Sequence, residues 1–282
     1  MKIIVSIVLL FFVAILFACD LNSSTSFLEQ NTTQLTHSGN TIETRFDVPS
    51  GFKREELDTS SFGHWLRELP LKEKGTQVKL FDGSLKGNQE AHLAVIDLPI
   101  GSKDLHQCAD AIMRLRADYL FSKKKYDEIH FHFTNGFDAL YSKWRKGQRI
   151  QVNGNKVQWV DGGKSGDNQS SYWQYLEKVF SYAGTLSLSK ELKPKSAENI
   201  QIGDVFIQGG SPGHAVIVVD LAINASTGEK VFMLAQSYMP AQEIHVLRNP
   251  SGSENSPWYE IKGSTLETPE WDFTLSDLKY FP

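Results

Sequence analysis

The chain has 282 residues, 40% of them hydrophobic, and a formal net charge of −4 from 33 acidic and 29 basic side chains. This length allows one large domain or two small ones, and the acidic balance leaves no basic face for a nucleic-acid backbone, so no nucleic-acid partner is expected. Cysteine occurs only at positions 19 and 108, which excludes a scaffold held by several disulfides.

Residues 1–18 read as a signal peptide. Met1-Lys2 is a positive start, Ile3 to Phe17 is apolar except for Ser6, and Leu16-Phe-Ala-Cys19 ends the run on small residues. The run is short for a membrane span. Leu16-Phe-Ala-Cys19 resembles a bacterial lipobox, which implies cleavage before Cys19 and lipid on its sulfur, so the expected membrane partnership is an anchor and the expected location is extracytoplasmic. A cysteine modified in this way carries several acyl chains, enough buried methylenes for stable anchoring. Residues 19–40 are rich in Ser, Thr, Asn and Gln and read as a flexible tether, leaving 41–282 as a single α+β domain with no second linker. With Cys19 carrying lipid, Cys108 is the one thiol left in an oxidising compartment, either buried and inert or exposed and reactive.

Arg45 to Phe52 is predicted to be extended, ending at Pro49-Ser-Gly51, and Ser60 to Leu69 to be a short serine-capped helix stopped by Pro70. Val78 to Phe81 and Leu93 to Ile96 read as strands, with Asp82-Gly83 a turn after the first. Asp104 to Phe121 is the clearest helix: Leu105, Cys108, Ala109, Ile112, Leu115, Arg116 and Tyr119 fall on one face, and Asp104 is placed as its cap. Glu128 to Thr134 alternates strictly, with Ile129, Phe131 and Phe133 inward and His130 and His132 together on the other face. Two such histidines need further ligands to hold a metal, and none is local, so neither a metal nor another cofactor is assigned.

A short helix around Tyr141 and Trp144 and a strand from Lys156 to Val160 lead to a loop, Asp161 to Ser170, and then to a helix from Ser171 to Ala183 closed by Gly184. Val205 to Ile207 and Ala215 to Val219 are β-branched runs joined by Gly209-Gly-Ser-Pro-Gly213, which makes a hairpin with His214 where the second strand leaves the turn. The unbroken apolar character of that second run predicts a strand covered on both faces. Val231 to Ser237 reads as the next strand, Glu243 to Leu247 as one more, and Trp258, Tyr259, Trp271 and Phe281 as anchors of a tail that wraps the core.

Gly203-Asp-Val-Phe-Ile, a glycine-rich turn and Gly213-His-Ala-Val-Ile-Val-Val219 resemble the signature of papain-like cell-wall peptidases of the NlpC type and of related amidase and transglutaminase-like groups; the likeness covers roughly Ser170 to Leu247. It implies a papain-like core of mixed helix and antiparallel sheet at about residues 165–250, with an N-terminal α+β extension. It also implies that His214 is the general base of a Cys-His-polar triad and that Gln236, on the following strand, orients the imidazole. The chain is further similar, in Gln107-Cys-Ala-Asp110, Gly203-Asp-Val and Ala235-Gln-Ser-Tyr-Met-Pro-Ala-Gln242, to an uncharacterised family of envelope lipoproteins.

The nucleophile has two candidates. Ser171 stands where the NlpC pattern carries cysteine, but a hydroxyl forms no easy thiolate, and Ser171-x-x-Gln174 fits a capping box. Cys108 has the chemistry, near a helix N-terminus whose dipole favours thiolate, but reaching His214 from there demands a long insertion. Free cysteine is also commonly a buried core residue. The resulting expectation is a lipid-anchored envelope protein whose degenerate papain-like domain binds peptidoglycan peptide or an envelope protein. The alternatives are a thiol hydrolase or acyltransferase acting on cell-wall peptide through Cys108, His214 and Gln236, and an envelope lipoprotein with a structural role alone.

Overall fold

The computed structural model describes residues 39–252 and 256–282; the expected signal peptide, Cys19 and most of the expected tether lie outside them. The fold is α+β. Its first half carries helices α1 (Ile42–Arg45), α2 (Phe62–Arg67) and α3 (Cys108–Ser122), with short strands β1 (Phe52–Arg54) and β2 (His92–Val95). Then come hairpin β3 (His130–His132) and β4 (Asp138–Leu140), α4 (Tyr141–Trp144), hairpin β5 (Gln148–Asn153) and β6 (Lys156–Asp161), α5 (Gln169–Phe180) and α6 (Thr185–Glu191). The last part is mainly strand: β7 (Lys193–Pro194), β8 (Val205–Gln208), β9 (His214–Asn224), β10 (Lys230–Gln236), β11 (His245–Leu247), β12 (Trp258–Glu260), β13 (Thr265–Glu267), β14 (Asp272–Thr274) and β15 (Leu278–Tyr280).

The main sheet runs β2-β11-β10-β9-β8-β15-β7, with β1 added to β9 and β12 to β10. Its pairings are antiparallel. The sheet therefore draws strands from well outside 165–250. Strand β9 is its axis, and its first nine residues are all buried. Ala215, Ile217 and Val219, with Met233 and Ala235 of β10, pack into a core shared with Ile112 and Leu115 of α3 and Leu176 and Val179 of α5. Val216 and Val218, with Phe232 and Leu234, face a second core closed by Phe206, Tyr259, Leu266, Phe273 and Leu278. Each fully buried Val, Ile or Phe contributes roughly 1.5–3 kcal/mol, so burial on both faces is what gives β9 its unbroken apolar sequence.

Two expected helix starts shift, and both shifts bear on the candidate site. Helix α3 begins at Cys108, not near Asp104: Gln107 is extended and is the cap residue, and its backbone N–H donates to Asp110 Oδ2 at 3.1 Å. Asp104 instead accepts from the Gln107 side chain (3.1 Å) and from the backbone of Ala241 (2.7 Å), which ties the helix entrance to the loop after β10. Helix α5 begins at Gln169, and Asn168 is its cap, accepting from Ser171 N at 3.0 Å. The expected Ser171–Gln174 capping box is therefore corrected: asparagine is as good a cap as serine and lies one turn earlier. In the first half, Ile42–Arg45 is a short helix closed by a capping box between Thr41 and Thr44, so of the segment expected to be extended only Arg45 is helical, and the chain is extended from Phe46. Lys79 and Leu80 form isolated bridges in place of the expected strand. Among the described residues, no helix is long and apolar enough to cross a membrane.

Candidate functional site

The turn before β9 is built for close approach. A Cβ on Gly213 would stand 2.6 Å from Thr185 Oγ1 and 2.7 Å from the Gln208 carbonyl oxygen, so only glycine lets the chain enter β9 against α6. This pins His214, the next residue, which pairs with Gln208 at the end of the hairpin. The His214 side chain is buried. Its Nε2 lies 2.7 Å from Oε1 of Gln236, and its ring is flanked by Tyr238, Trp271 and Phe273 at centroid distances of 4.7, 5.6 and 6.0 Å. Burial, reinforced by the nearby Lys86 charge, lowers its pKa to about 4, with the Gln236 hydrogen bond opposing the shift. The imidazole is therefore neutral at pH 7.

Gln236 ends β10 and pairs with His245 on β11. Its amide nitrogen donates to Glu270 Oε2 at 2.7 Å and lies 3.4 Å from His245 Nε2. The other Glu270 oxygen accepts from Lys86 Nζ at 2.5 Å, and that ammonium lies 5.6 Å from the Tyr238 ring centroid. Lys86 and Glu270 thus join the first half of the chain to its tail at this point.

Cys108 arrives on α3, which packs in the core that holds Ala215. As the first residue of α3 it is buried, and the backbone amides of Ala109, Ala215 and Cys108 itself face its sulfur. Those amides favour the thiolate, but burial and then the Asp110 charge outweigh them and raise the thiol pKa to about 11. Ala215 directly follows His214, so the first turn of α3 and the first residues of β9 meet. The segment between them folds as two hairpins and α4 to α6, which is the insertion that a Cys108–His214 pairing requires.

Around this junction several buried polar atoms have no hydrogen-bond partner among the described residues: both ring nitrogens of His106, Asp110 Oδ1 and Gln242 Oε1. Burial, then the Arg114 charge, lowers the His106 pKa to about 3 against weaker pulls from the Gln242 and His106 backbone, whose contacts with the ring fall short of hydrogen-bond geometry, and burial raises that of Asp110 well above the usual carboxylate range. Ser237, next to Gln236, donates to the His106 and Gln242 carbonyls at 2.9 and 2.8 Å and ties β10 to the entrance of α3.

Ser171 is not brought into this group. Its Oγ and its carbonyl accept the indole N–H of Trp144 at 3.1 and 3.0 Å, and α5 packs through the core it shares with α3. His130 and His132 do share an outward face, each beside a carboxylate: Asp138 at 3.3 Å and Glu191 at 3.4 Å. Among the described residues, no cluster of three or more His, Cys, Asp or Glu is arranged to hold a metal. These histidines line a cavity of about 630 Å3 with Arg116, Glu191 and Phe281, whose lining includes none of Cys108, His214 and Gln236.

The sequence pattern does not mark Lys86, His245 and Glu270 as site residues. His245 was within reach, because period-two alternation along β11 sets it beside Gln236. Glu270 and Lys86 carry no local signal; only the paths of the tail and of the 79–86 loop bring them together. No curated protein and no solved structure matches this chain. A family model described as a domain of unknown function (4846) matches residues 42–280, which include every residue of the site, and the protein belongs to that family.

Proposed function

We propose that this protein is a thiol hydrolase or acyltransferase with a papain-like core, acting on a peptide or amide of the cell wall. Cys108 is the nucleophile, His214 the base and Gln236 the group that orients the base. The observation that carries the reading is the position of Cys108: it opens α3 with its sulfur against the amide of Ala215, next to the histidine that Gln236 holds at 2.7 Å. Helix N-terminus, imidazole and orienting amide are the parts that nucleophilic acyl transfer needs. In the resting site the thiol and imidazole are both neutral. The thiol proton passes to His214 as sulfur attacks the carbonyl carbon, and the imidazolium then returns it to the leaving amine. The helix dipole and the backbone amides facing the sulfur stabilise the thiolate as it forms. Tyr238, the partly exposed ring against His214, must yield for a substrate to enter.

The test is incubation of the purified protein with peptidoglycan stem peptides, followed by mass spectrometry. Cleavage or acyl transfer is expected and should vanish in Cys108→Ala. The burial of Cys108 and its pKa of about 11 favour a second reading, in which the scaffold is degenerate and binds peptide or an envelope partner without cleaving it. Peptide binding with no turnover, together with a Cys108 thiol inert to iodoacetamide in the folded protein, would select that reading over ours.

The same proposal places the protein outside the cytoplasm, held to a membrane by lipid on Cys19, on the strength of the Leu16-Phe-Ala-Cys19 sequence. Cys19→Ser should move the protein from the membrane fraction to the soluble one. Retention of the variant in the membrane fraction would remove the anchor from the proposal.

A further inference from the structure

Gln236 could in principle turn either end of its amide toward His214, and the two orientations give opposite chemistry. With the oxygen toward the ring, His214 must carry its proton on Nε2, which leaves Nδ1 with a lone pair. With the nitrogen toward the ring, Nε2 must be the acceptor and Nδ1 is protonated, unable to take a proton from a thiol.

Two neighbours decide between them. His245 Nδ1 lies 2.9 Å from the carbonyl oxygen of Glu243, which only accepts, so Nδ1 carries the hydrogen. The ring is buried and its pKa is lowered to about 3, so it holds one proton, and its Nε2 presents a lone pair to the Gln236 amide 3.4 Å away. Glu270 is an acceptor as well, with one oxygen 2.7 Å from the same amide nitrogen and the other on Lys86. A flipped Gln236 would direct its oxygen at a carboxylate and at a ring lone pair in a buried site.

We propose that Glu270 and His245 are positioning residues that clamp the Gln236 amide from two sides, and so hold His214 in the tautomer whose Nδ1 is free to act as a base, with Lys86 holding Glu270 in place. The catalytic meaning of the clamp rests on the reading of Cys108 and His214 given above; its existence does not.

The experiment uses the full chain carrying Cys19→Ser, so that Cys108 is the one thiol, and reads two signals. The first is the tautomer of His214, from long-range proton–nitrogen correlation spectra of the imidazoles, assigned by its loss in His214→Gln. The second is the rate of Cys108 alkylation by iodoacetamide. The parent should show only the Nε2-protonated form. Glu270→Gln has the same shape but can donate as well as accept, so the Gln236 amide is freed to flip, an Nδ1-protonated population should appear, and alkylation should slow at least fivefold. His245→Phe, which keeps a ring and leaves Glu270 in place, should show a smaller population of the same form and serves where Glu270→Gln fails to fold. A single, unchanged Nε2-protonated form in both variants overturns the clamp. Alkylation that is insensitive to His214→Gln overturns the thiol–imidazole reading, and the tautomer spectra still decide the clamp.

Discussion

Asp220 and His214 are buried polar residues toward opposite ends of one strand, and their surroundings differ in kind. Asp220 has both oxygens committed: Oδ2 to Arg54 Nε and Oδ1 to Arg67 Nε, each at 2.7 Å, with the Leu221 amide also on Oδ1 at 2.9 Å. The guanidinium groups are anchored in turn, Arg54 to the Phe46 carbonyl and Arg67 to the carbonyls of Glu55 and Leu221. At the His214 end, the imidazole has the Gln236 hydrogen bond, the thiol beyond it is held protonated, and His106, Asp110 and Gln242 keep buried atoms without partners among the described residues. A buried charge that is fully paired holds β1 and α2 to the sheet and has no capacity left for chemistry. A neutral, incompletely paired group costs stability where it stands and keeps the capacity to exchange a proton.

That contrast is broken most directly by Asp220→Ala, which leaves two guanidinium groups without their carboxylate. The expected loss is about 3–5 kcal/mol in urea unfolding, since removing one partner of a buried pair leaves the remaining charge uncompensated. A loss below about 1 kcal/mol would mean that the Asp220 end is no better built than the other.

The opposite sign is expected at the His214 end. His106→Leu removes a buried imidazole whose ring nitrogens have no well-formed hydrogen bond among the described residues, and should stabilise the fold by about 1–3 kcal/mol. Acid sharpens this test. His106 is held at about 3 when folded and returns to about 6.5 when unfolded, so between those values the unfolded chain binds the extra proton and stability falls as pH falls. Asp110 works the other way, its raised pKa adding stability that is lost as pH rises, so the comparison is made as a difference between variant and parent. The advantage of His106→Leu should grow by roughly 1.4 kcal/mol per pH unit below about 6.5. An advantage that does not change between pH 7 and pH 5 would show that His106 is not held neutral by burial.

The smallest effect is expected at Ser171→Ala. The Trp144 indole keeps the Ser171 carbonyl as acceptor, so stability should drop by less than about 1 kcal/mol and Cys108 alkylation should not change. A slowed alkylation rate would bring Ser171 back into the site and undo its separation from His214.

Much of this was legible in one dimension. The β-branched run after His214 has the composition of a strand buried on both faces, the glycines before it have the composition of a tight hairpin, α3 follows from its apolar periodicity, α5 from the polar loop before it and the glycine after it, and β10 from its unbroken apolar run, because these patterns depend on neighbours a few residues apart. The His214–Gln236 pair was also within reach, since antiparallel neighbours bring β9 and β10 side by side. What the chain order could not decide was which hydroxyl or thiol stands near the imidazole. Ser171 is the nearer candidate along the sequence, yet its helix starts two residues before it and its hydroxyl serves an indole, while Cys108 reaches Ala215 only because a long insertion folds aside and α3 starts late enough to make cysteine its first residue. The clamp on Gln236 lies further still from any local pattern. Lys86, His245 and Glu270 come from three separate parts of the chain, and a hydrogen-bond network assembled by long-range packing leaves no periodic trace in sequence.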